Sequence, residues 1–397
     1  MKILVVCQYY YPEPFRVNDI CEEMVKRGHE VTVVTGEPNY PEGSIYKGYE
    51  NQAHTDEIIN GVKVHRCPII PRKKGIMYRV LNYFSYPLKA KSYVMNLMAS
   101  DGNPFDVVFV NQLSPVMMAE PAITYRKKHG TPIVMYCLDL WPESLIAGGV
   151  RRGSLIYKVF HRISKKIYRN VDRILITSKM FRGYLEDQFG VNDNRIEYLP
   201  QYAEGLFECL PFKENHETVD LVFAGNIGEI QSVETIIKAA EKLKLKDVRF
   251  HIVGDGTDFE RLKRMAKGLK NVIFYGRRPL EEMPMFYAKA DAMLVTLKAD
   301  PVLSFTLPRK VQSYMAVGKP IIGAIDGETE EVIKDAKCGY CGKAGDVDEL
   351  VRNILLFMEN SAKQEMGMNA RKFYEEFFAR EKFMDKLEEE FRDGPPR

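Results

Sequence analysis

A chain of 397 residues is longer than a single hydrophobic core usually serves, so two domains of somewhat under 200 residues each are expected. Hydrophobic residues at 45% and charged residues at 28% are ordinary for a globular protein and leave no room for a long disordered tract, while a net charge of +3 is too small to argue for nucleic-acid binding. Seven scattered cysteines suit a reducing compartment without a disulfide framework, no apolar run approaches the roughly 18 residues of a spanning helix, and residues 1–6 turn polar too soon for a signal peptide, so a cytosolic protein is expected.

Residues 2–7 read as a short buried strand, and the amphipathic stretch 17–27, ending before Gly28, as a helix. Further strands are expected at 30–35, 62–67, 106–111, 132–138 and 173–177, mostly separated by helical periods. The pattern restarts after 200–217, with strands at 219–224, 248–253, 272–275, 292–297 and 320–324. Strands alternating with helices imply parallel α/β sheets, here two doubly wound domains. Cys338 and Cys341 have CxxC spacing but no second pair, and read as strand residues rather than zinc ligands. Asp346-Val347-Asp348 reads as the N-cap of a helix over 348–358 and not as a metal motif, so no metal is expected. The charged tail 371–392 reads as one helix whose apolar points, among them Phe373, Phe378, Leu387 and Phe391, must pack on something.

Ligands of open parallel sheets sit beyond the carboxyl ends of the strands, which directs attention to the loops there. Gly225-Asn226-Ile227-Gly228 and Gly254-Asp255-Gly256 follow strands and either cradle a phosphate or merely turn tightly. Neither is a Walker loop or a dinucleotide fingerprint, which weakens ATPase and dehydrogenase readings. The segment 304–320 carries a helix starting near Pro308 and ending at Gly318. Amides near Thr306, Leu307 and Arg309, beside the Arg309 and Lys310 charges, could hold a diphosphate; a solvated basic turn is the alternative. Asp139 and Glu143 follow the strand 132–138, where a carboxylate could orient an acceptor hydroxyl. Asp139 is the leading catalytic candidate against a simple capping role, and Trp141 reads as packing. Arg277 and Arg278 follow another strand end, placed to stack on a base or to stand in solvent.

Two basic clusters stand out. Residues 151–169 form a basic amphipathic helix, and Arg72, Lys73, Lys74, Arg79, Lys89 and Lys91 lie among Tyr78, Tyr83, Phe84, Tyr86 and Tyr93. Either cluster alone is as readily a solvated helix face. Two in one domain favour an anionic membrane surface, and no nucleic-acid motif accompanies them.

The segment 304–320, continuing through Ile321-Ile322-Gly323-Ala324, resembles the donor-binding segment of family 4 glycosyltransferases, whose GT-B fold has two facing Rossmann-like domains and a C-terminal helix crossing back to the first. Gln8-Tyr9-Tyr10-Tyr11-Pro12-Glu13, residues 35–41, Asp139-Leu140-Trp141-Pro142-Glu143-Ser144 and residues 199–204 resemble a bacterial capsule and O-antigen subgroup of L-fucosamine type, so the likeness covers nearly the whole chain. It implies an acceptor domain over 1–204 with a crossover helix at about 375–397, a donor domain over 205–374, and an active site in the cleft between them. It also implies a retaining, metal-independent transferase needing no cofactor. The enzyme would move an N-acetylhexosamine or deoxy relative from a UDP-sugar to a polyprenyl-diphosphate-linked glycan at the inner face of the plasma membrane.

On that resemblance Asp139, Glu143 and Lys310 are the catalytic residues. Gly225, Asn226, Gly228, Gly254, Gly256, Arg277, Arg278, Phe305, Thr306, Leu307, Arg309, Lys310 and Ser313 contact the donor, and Glu13, Arg16, Asn39 and Tyr40 serve the acceptor side. Three departures stand against it. Phe305 and Ser313 replace a pair of glutamates eight positions apart, Leu138 replaces a histidine, and Asn226 and Gln231 stand where relatives place a basic pair. Phosphate charge then falls to Arg309 or Lys310. The alternatives are a nucleotide-sugar epimerase of the same fold and a non-catalytic nucleotide-sugar-binding scaffold.

Overall fold

A computed structural model describes residues 1–71, 76–147, 149–212 and 217–393. It divides into two compact units. The first is Met1–Thr177, Phe181–Leu199 and the chain from Met384 onward; the second is Pro200–Phe383 with Ser178–Met180. The division thus falls at Leu199 and Pro200, against the expected 204 and 205, and the return to the first unit comes at Met384.

The first unit runs β1 (Lys2–Val6), α1 (Arg16–Lys26), β2 (Glu30–Gly36), β3 (Asp56–Ile59), β4 (Val62–Cys67), α2 (Ile76–Val94), β5 (Val107–Gln112), α3 (Glu120–His129), β6 (Ile133–Cys137), α4 (Ser144–Ala147), α5 (Leu155–Arg169), β7 (Arg173–Ile176), α6 (Phe181–Phe189) and β8 (Ile196–Tyr198). Among the described residues its sheet has the order β3-β4-β2-β1-β5-β6-β7-β8, parallel except where β3 lies antiparallel to β4. Every residue of β5 and β6 is buried, as expected for strands covered by helices on both faces. Helix α1 shows the complementary logic: Val17, Ile20, Cys21 and Met24 recur at helical spacing and face the core, and Gly28, at φ +88°, takes the left-handed turn that ends it.

The second unit continues with β9 (Val219–Ala224), α7 (Val233–Lys242), β10 (Val248–Val253), α8 (Phe259–Met265), β11 (Val272–Gly276), α9 (Met283–Lys289), β12 (Ala292–Thr296), α10 (Lys310–Ala316), β13 (Ile321–Ala324), α11 (Glu328–Asp335), β14 (Gly339–Gly342), α12 (Val347–Glu359) and α13 (Lys363–Phe373); α14 (Arg380–Arg392) is the last element among the described residues. Its sheet is wholly parallel, in the order β11-β10-β9-β12-β13-β14. Asp346 caps α12 by accepting from the Glu349 amide at 2.9 Å, and Cys341 lies within β14 with the buried Cys338 just before it.

The expected strands are present. Two were missed: β3, an edge strand opening on Asp56 and Glu57, and the three-residue β8. The tail is two helices rather than one. A widened turn over Tyr374–Phe378 gathers the rings of Phe373, Phe377 and Phe378, and Ala379 is extended at ψ 138°. Within the first unit, the later part of α14 packs Phe391 edge-on against Phe109, and its acids pair with Arg27 and Arg173.

Both sheets change winding direction at one point, between β1 and β5 in the first unit and between β9 and β12 in the second. Ligand crevices of doubly wound sheets open at such switch points.

Candidate functional site

In the second unit, the loops leaving β9 and β12 hold most of the candidate donor-side residues. Lys310 opens α10 and sends its Nζ back beneath the β9 loop. There it donates to Gln231 Oε1 at 2.7 Å and stands 4.0 Å from the centre of the Phe223 ring. The space is available because Gly225 has no side chain; a Cβ there would lie 2.8 Å from that nitrogen. Among the described residues no carboxylate pairs with Lys310, and burial alone pulls its pKa down to about 7. A desolvated lysine without a counter-ion, at a sheet's switch point, is a ready partner for an anion.

The other donor-side residues divide. Arg309, just before α10, and Ser313, one turn into it, converge on Glu204: Arg309 Nη2 lies 3.5 Å from Glu204 Oε1, and the Ser313 hydroxyl donates to Oε2 at 3.3 Å. A carboxylate therefore stands beside Ser313 after all, brought from another segment: Glu204, to which the sequence reading gave no role. Gly254 and Gly256 answer to packing. A Cβ on Gly254 would meet Gly225 O at 1.8 Å and one on Gly256 would meet Ile227 O at 2.4 Å, so the two loops touch backbone to backbone. Of the amides in 225–228, those of Asn226 and Gly228 alone make no bond among the described residues.

Leu307 is 3% exposed and belongs to the core, so its side chain is not a donor contact, and the Thr306 amide is already bonded to Leu303 O. Phe305 closes the short turn Leu303–Phe305. Helix α10 begins at Lys310, two residues after the expected Pro308, and spans seven residues, so the charge at this site comes mainly from Lys310 rather than from a long helix dipole. Arg277 and Arg278 are exposed on the loop after the edge strand β11, two strands from β9; Arg278 donates to Tyr275 O at 3.1 Å.

In the first unit, three adjacent strands bring three loops into a row. After β1, Glu13 is fully buried, and its Oε1 accepts from the amides of Asn39 and Tyr40 at 2.9 and 2.7 Å. Burial pushes the Glu13 carboxyl up to about 7. Tyr40, 42% exposed, leans on the rings of Tyr9 and Phe15, whereas the Asn39 side chain is buried and bonds Glu37 O. Arg16 opens α1. After β5 comes Ser114, whose amide and hydroxyl both donate to Asp139 Oδ2, at 3.2 and 3.1 Å, from the loop after β6. Trp141 Nε1 in turn donates to Ser114 Oγ at 2.8 Å, and burial raises the Asp139 pKa against those bonds.

Glu143 does not join Asp139. Its side chain is 2% exposed; Oε1 accepts from the hydroxyls of Tyr157 and Tyr184 at 2.7 and 2.8 Å, and Oε2 takes Arg152 at 2.6 Å. The catalytic part expected of Glu143 gives way to a positional one, for it ties the loop to α5 and α6.

Residues 15–201 match the family described as glycosyl transferase 4-like domain, and residues 211–373 match glycosyl transferases group 1. The chain is 27% identical over 358 residues to the putative colanic acid biosynthesis glycosyl transferase WcaI of Escherichia coli (strain K12), covering 83% of this chain and 84% of that one. It is 26% identical over 286 residues to the probable glycosyltransferase WbjE of Pseudomonas aeruginosa, covering 68% of each. The crystal structure of Anabaena Alr3699/HepE in complex with UDP superposes with a TM-score of 0.71 at 14% identity, over 99% of this chain and all of that one. The chain is a member of the family 4 glycosyltransferases and has their GT-B fold.

Proposed function

We propose that this glycosyltransferase moves a sugar from a UDP-sugar to a lipid-linked glycan during assembly of a bacterial surface polysaccharide such as a capsule or O-antigen. The observation that carries the nucleotide part is Lys310, a cation without a counter-ion, beneath the Gly225 turn at the switch point of the second unit. The UDP named for the HepE complex supports that choice of nucleotide, and the names of WcaI and WbjE support the setting. An N-acetylhexosamine or a deoxy relative as the sugar, and a polyprenyl diphosphate as the acceptor's carrier, follow from the subgroup resemblance.

In this reading Lys310, with the Asn226 and Gly228 amides, takes the charge that builds on the diphosphate as the glycosidic bond breaks. Asp139, fixed by Ser114, orients the acceptor hydroxyl, and Tyr40 offers an exposed ring to the acceptor glycan. The acceptor oxygen attacks the face from which the nucleotide departs, so configuration is retained, and no metal takes part. The work would be done by a peripheral protein at the inner face of the plasma membrane. Among the described residues no helix is long and apolar enough to cross a membrane.

Incubation with UDP-sugars, with and without an isolated lipid-linked glycan, followed by mass spectrometry, tests the reading. An acceptor heavier by one sugar residue is expected. Isomerised nucleotide sugar formed without acceptor would replace transfer by epimerisation, and binding without any product would leave a scaffold.

A further inference from the structure

Trp141 is the one tryptophan of the protein, and its side chain is fully buried. The ring stands between α2 and α5, edge-on to Tyr83 at 5.5 Å and to Phe160 at 5.3 Å, where Phe84 of α2 stacks on Phe160 of α5 at 6.3 Å. Arg72, Lys73 and Lys74, just before α2, and the side chain of Arg79 within it lie outside the described residues. Packing of that kind needs a flat apolar ring, which phenylalanine would supply. An indole adds a polar N–H, and a buried N–H has to find a partner. Here the partner is Ser114 Oγ at 2.8 Å, and that oxygen lies 3.1 Å from Asp139 Oδ2.

Hydrogen-bonding capacity fixes the direction of this relay. An indole nitrogen only donates, so Ser114 Oγ is the acceptor there, and the hydroxyl hydrogen is left for Asp139. With the Ser114 amide at 3.2 Å, Asp139 Oδ2 takes two donors from one residue. The backbone of Asp139 is held as well, its carbonyl accepting from Gln112 Nε2 at 3.0 Å. Asp139 is half-buried, and among the described residues its Oδ1 accepts no hydrogen bond and is not closed off from solvent. The two carboxylate oxygens are thus unequal: one is saturated by the protein, the other is open at the carboxyl edge of the sheet.

We propose that Trp141 is a positioning residue of the transfer: its N–H turns the Ser114 hydroxyl onto Asp139 Oδ2 and so leaves Oδ1 as the oxygen that receives the acceptor hydroxyl. Donors bonded in series polarise one another, so the indole also strengthens the bond that holds the carboxylate. Ser114 follows β5, and Asp139 and Trp141 follow the adjacent β6, so the same relay ties the two loops together. The inference rests on the role read above for Asp139.

Because there is one tryptophan, full-length protein labelled with nitrogen-15 gives a single indole N–H resonance, readable without substrate. Ser114→Ala and Asp139→Asn should each move that resonance, and Asp139→Asn should move it no further once Ser114 is alanine. A resonance indifferent to both changes overturns the relay. For the same reason, growth of a tryptophan auxotroph on benzothienylalanine exchanges Trp141 alone for a ring of nearly equal shape that lacks the N–H, with Trp141→Phe as the simpler variant. Turnover is read with the UDP-sugar and lipid-linked glycan that give product in the incubation above. Either exchange should lower kcat about tenfold, as for one lost buried hydrogen bond, at constant acceptor KM and UDP affinity. In the Asp139→Asn background neither should lower it further, since the indole acts through that carboxylate. Full kcat with the benzothienyl ring overturns the proposal and leaves the Asp139 reading standing, whereas normal turnover in Asp139→Asn itself overturns both.

Discussion

At the scale of single residues, Lys310 decides most. Its free-state pKa near 7 lies well below the usual lysine value, because burial disfavours the ammonium. A bound diphosphate restores the charge, so binding takes up a proton, and affinity is full below pH 7 and declines as pH rises through it, by up to about tenfold per unit. Titrations from pH 6 to 9 should show that decline, and Lys310→Met should abolish it while weakening UDP binding about 10- to 100-fold, as for a lost charge-assisted hydrogen bond. Asp139→Asn keeps the shape of the carboxyl and leaves the UDP site alone. It should lower turnover about 100-fold or more at unchanged UDP affinity, readable as a fall in kcat with the UDP Kd constant. Asp139 was legible as a candidate because it follows a buried strand, and Lys310 because it stands at a helix start beside Arg309 in the segment that resembles the family's donor-binding one. What held them was not: Gln231 meets Lys310 across 79 positions and Ser114 meets Asp139 across 25, and no local pattern encodes either contact.

Elements account for the residues whose role changed on folding. The loop from Asp139 to α5 is anchored by Glu143, the shared acceptor of two tyrosine hydroxyls and an arginine. Glu143→Ala should therefore cost about 3 kcal/mol of stability, with Glu143→Gln costing less, as measured by urea unfolding. The sequence places Glu143 at a strand end, where catalysis is a fair guess, but Tyr157 and Tyr184 arrive from two later helices. Gly254 gives a second test. Its φ of +140° and its approach to Gly225 O leave no room for a methyl group, so Gly254→Ala should displace the Lys310 loop, lowering both thermal stability and UDP affinity. Strands such as Val107–Gln112 and Ala292–Thr296 were readable because burial on both faces writes an apolar run. β3 opens on two acids and β8 is three residues long, so neither leaves such a trace. The tail's single helical period hid the break at Ala379, since the aromatic cluster of Phe373, Phe377 and Phe378 sets the widened turn.

For the whole molecule, two doubly wound sheets, each reversing its winding once, explain why the candidate residues fall on a few loops out of many. Duplication of the fold was legible from the restart of strand spacing after residue 217, and the family from five stretches spread over the chain. The pairing of α2 with α5 was not, because it depends on Phe84 meeting Phe160 over a buried tryptophan. Calorimetric titration of the full chain with UDP, GDP and ADP in the presence of EDTA, beside the Lys310→Met variant, tests the central claim most directly. The account predicts UDP binding near micromolar, about 8 kcal/mol, weaker or no binding of GDP and ADP, and a marked loss in the variant. Silence from all three nucleotides, or UDP binding unaltered by Lys310→Met, would contradict it.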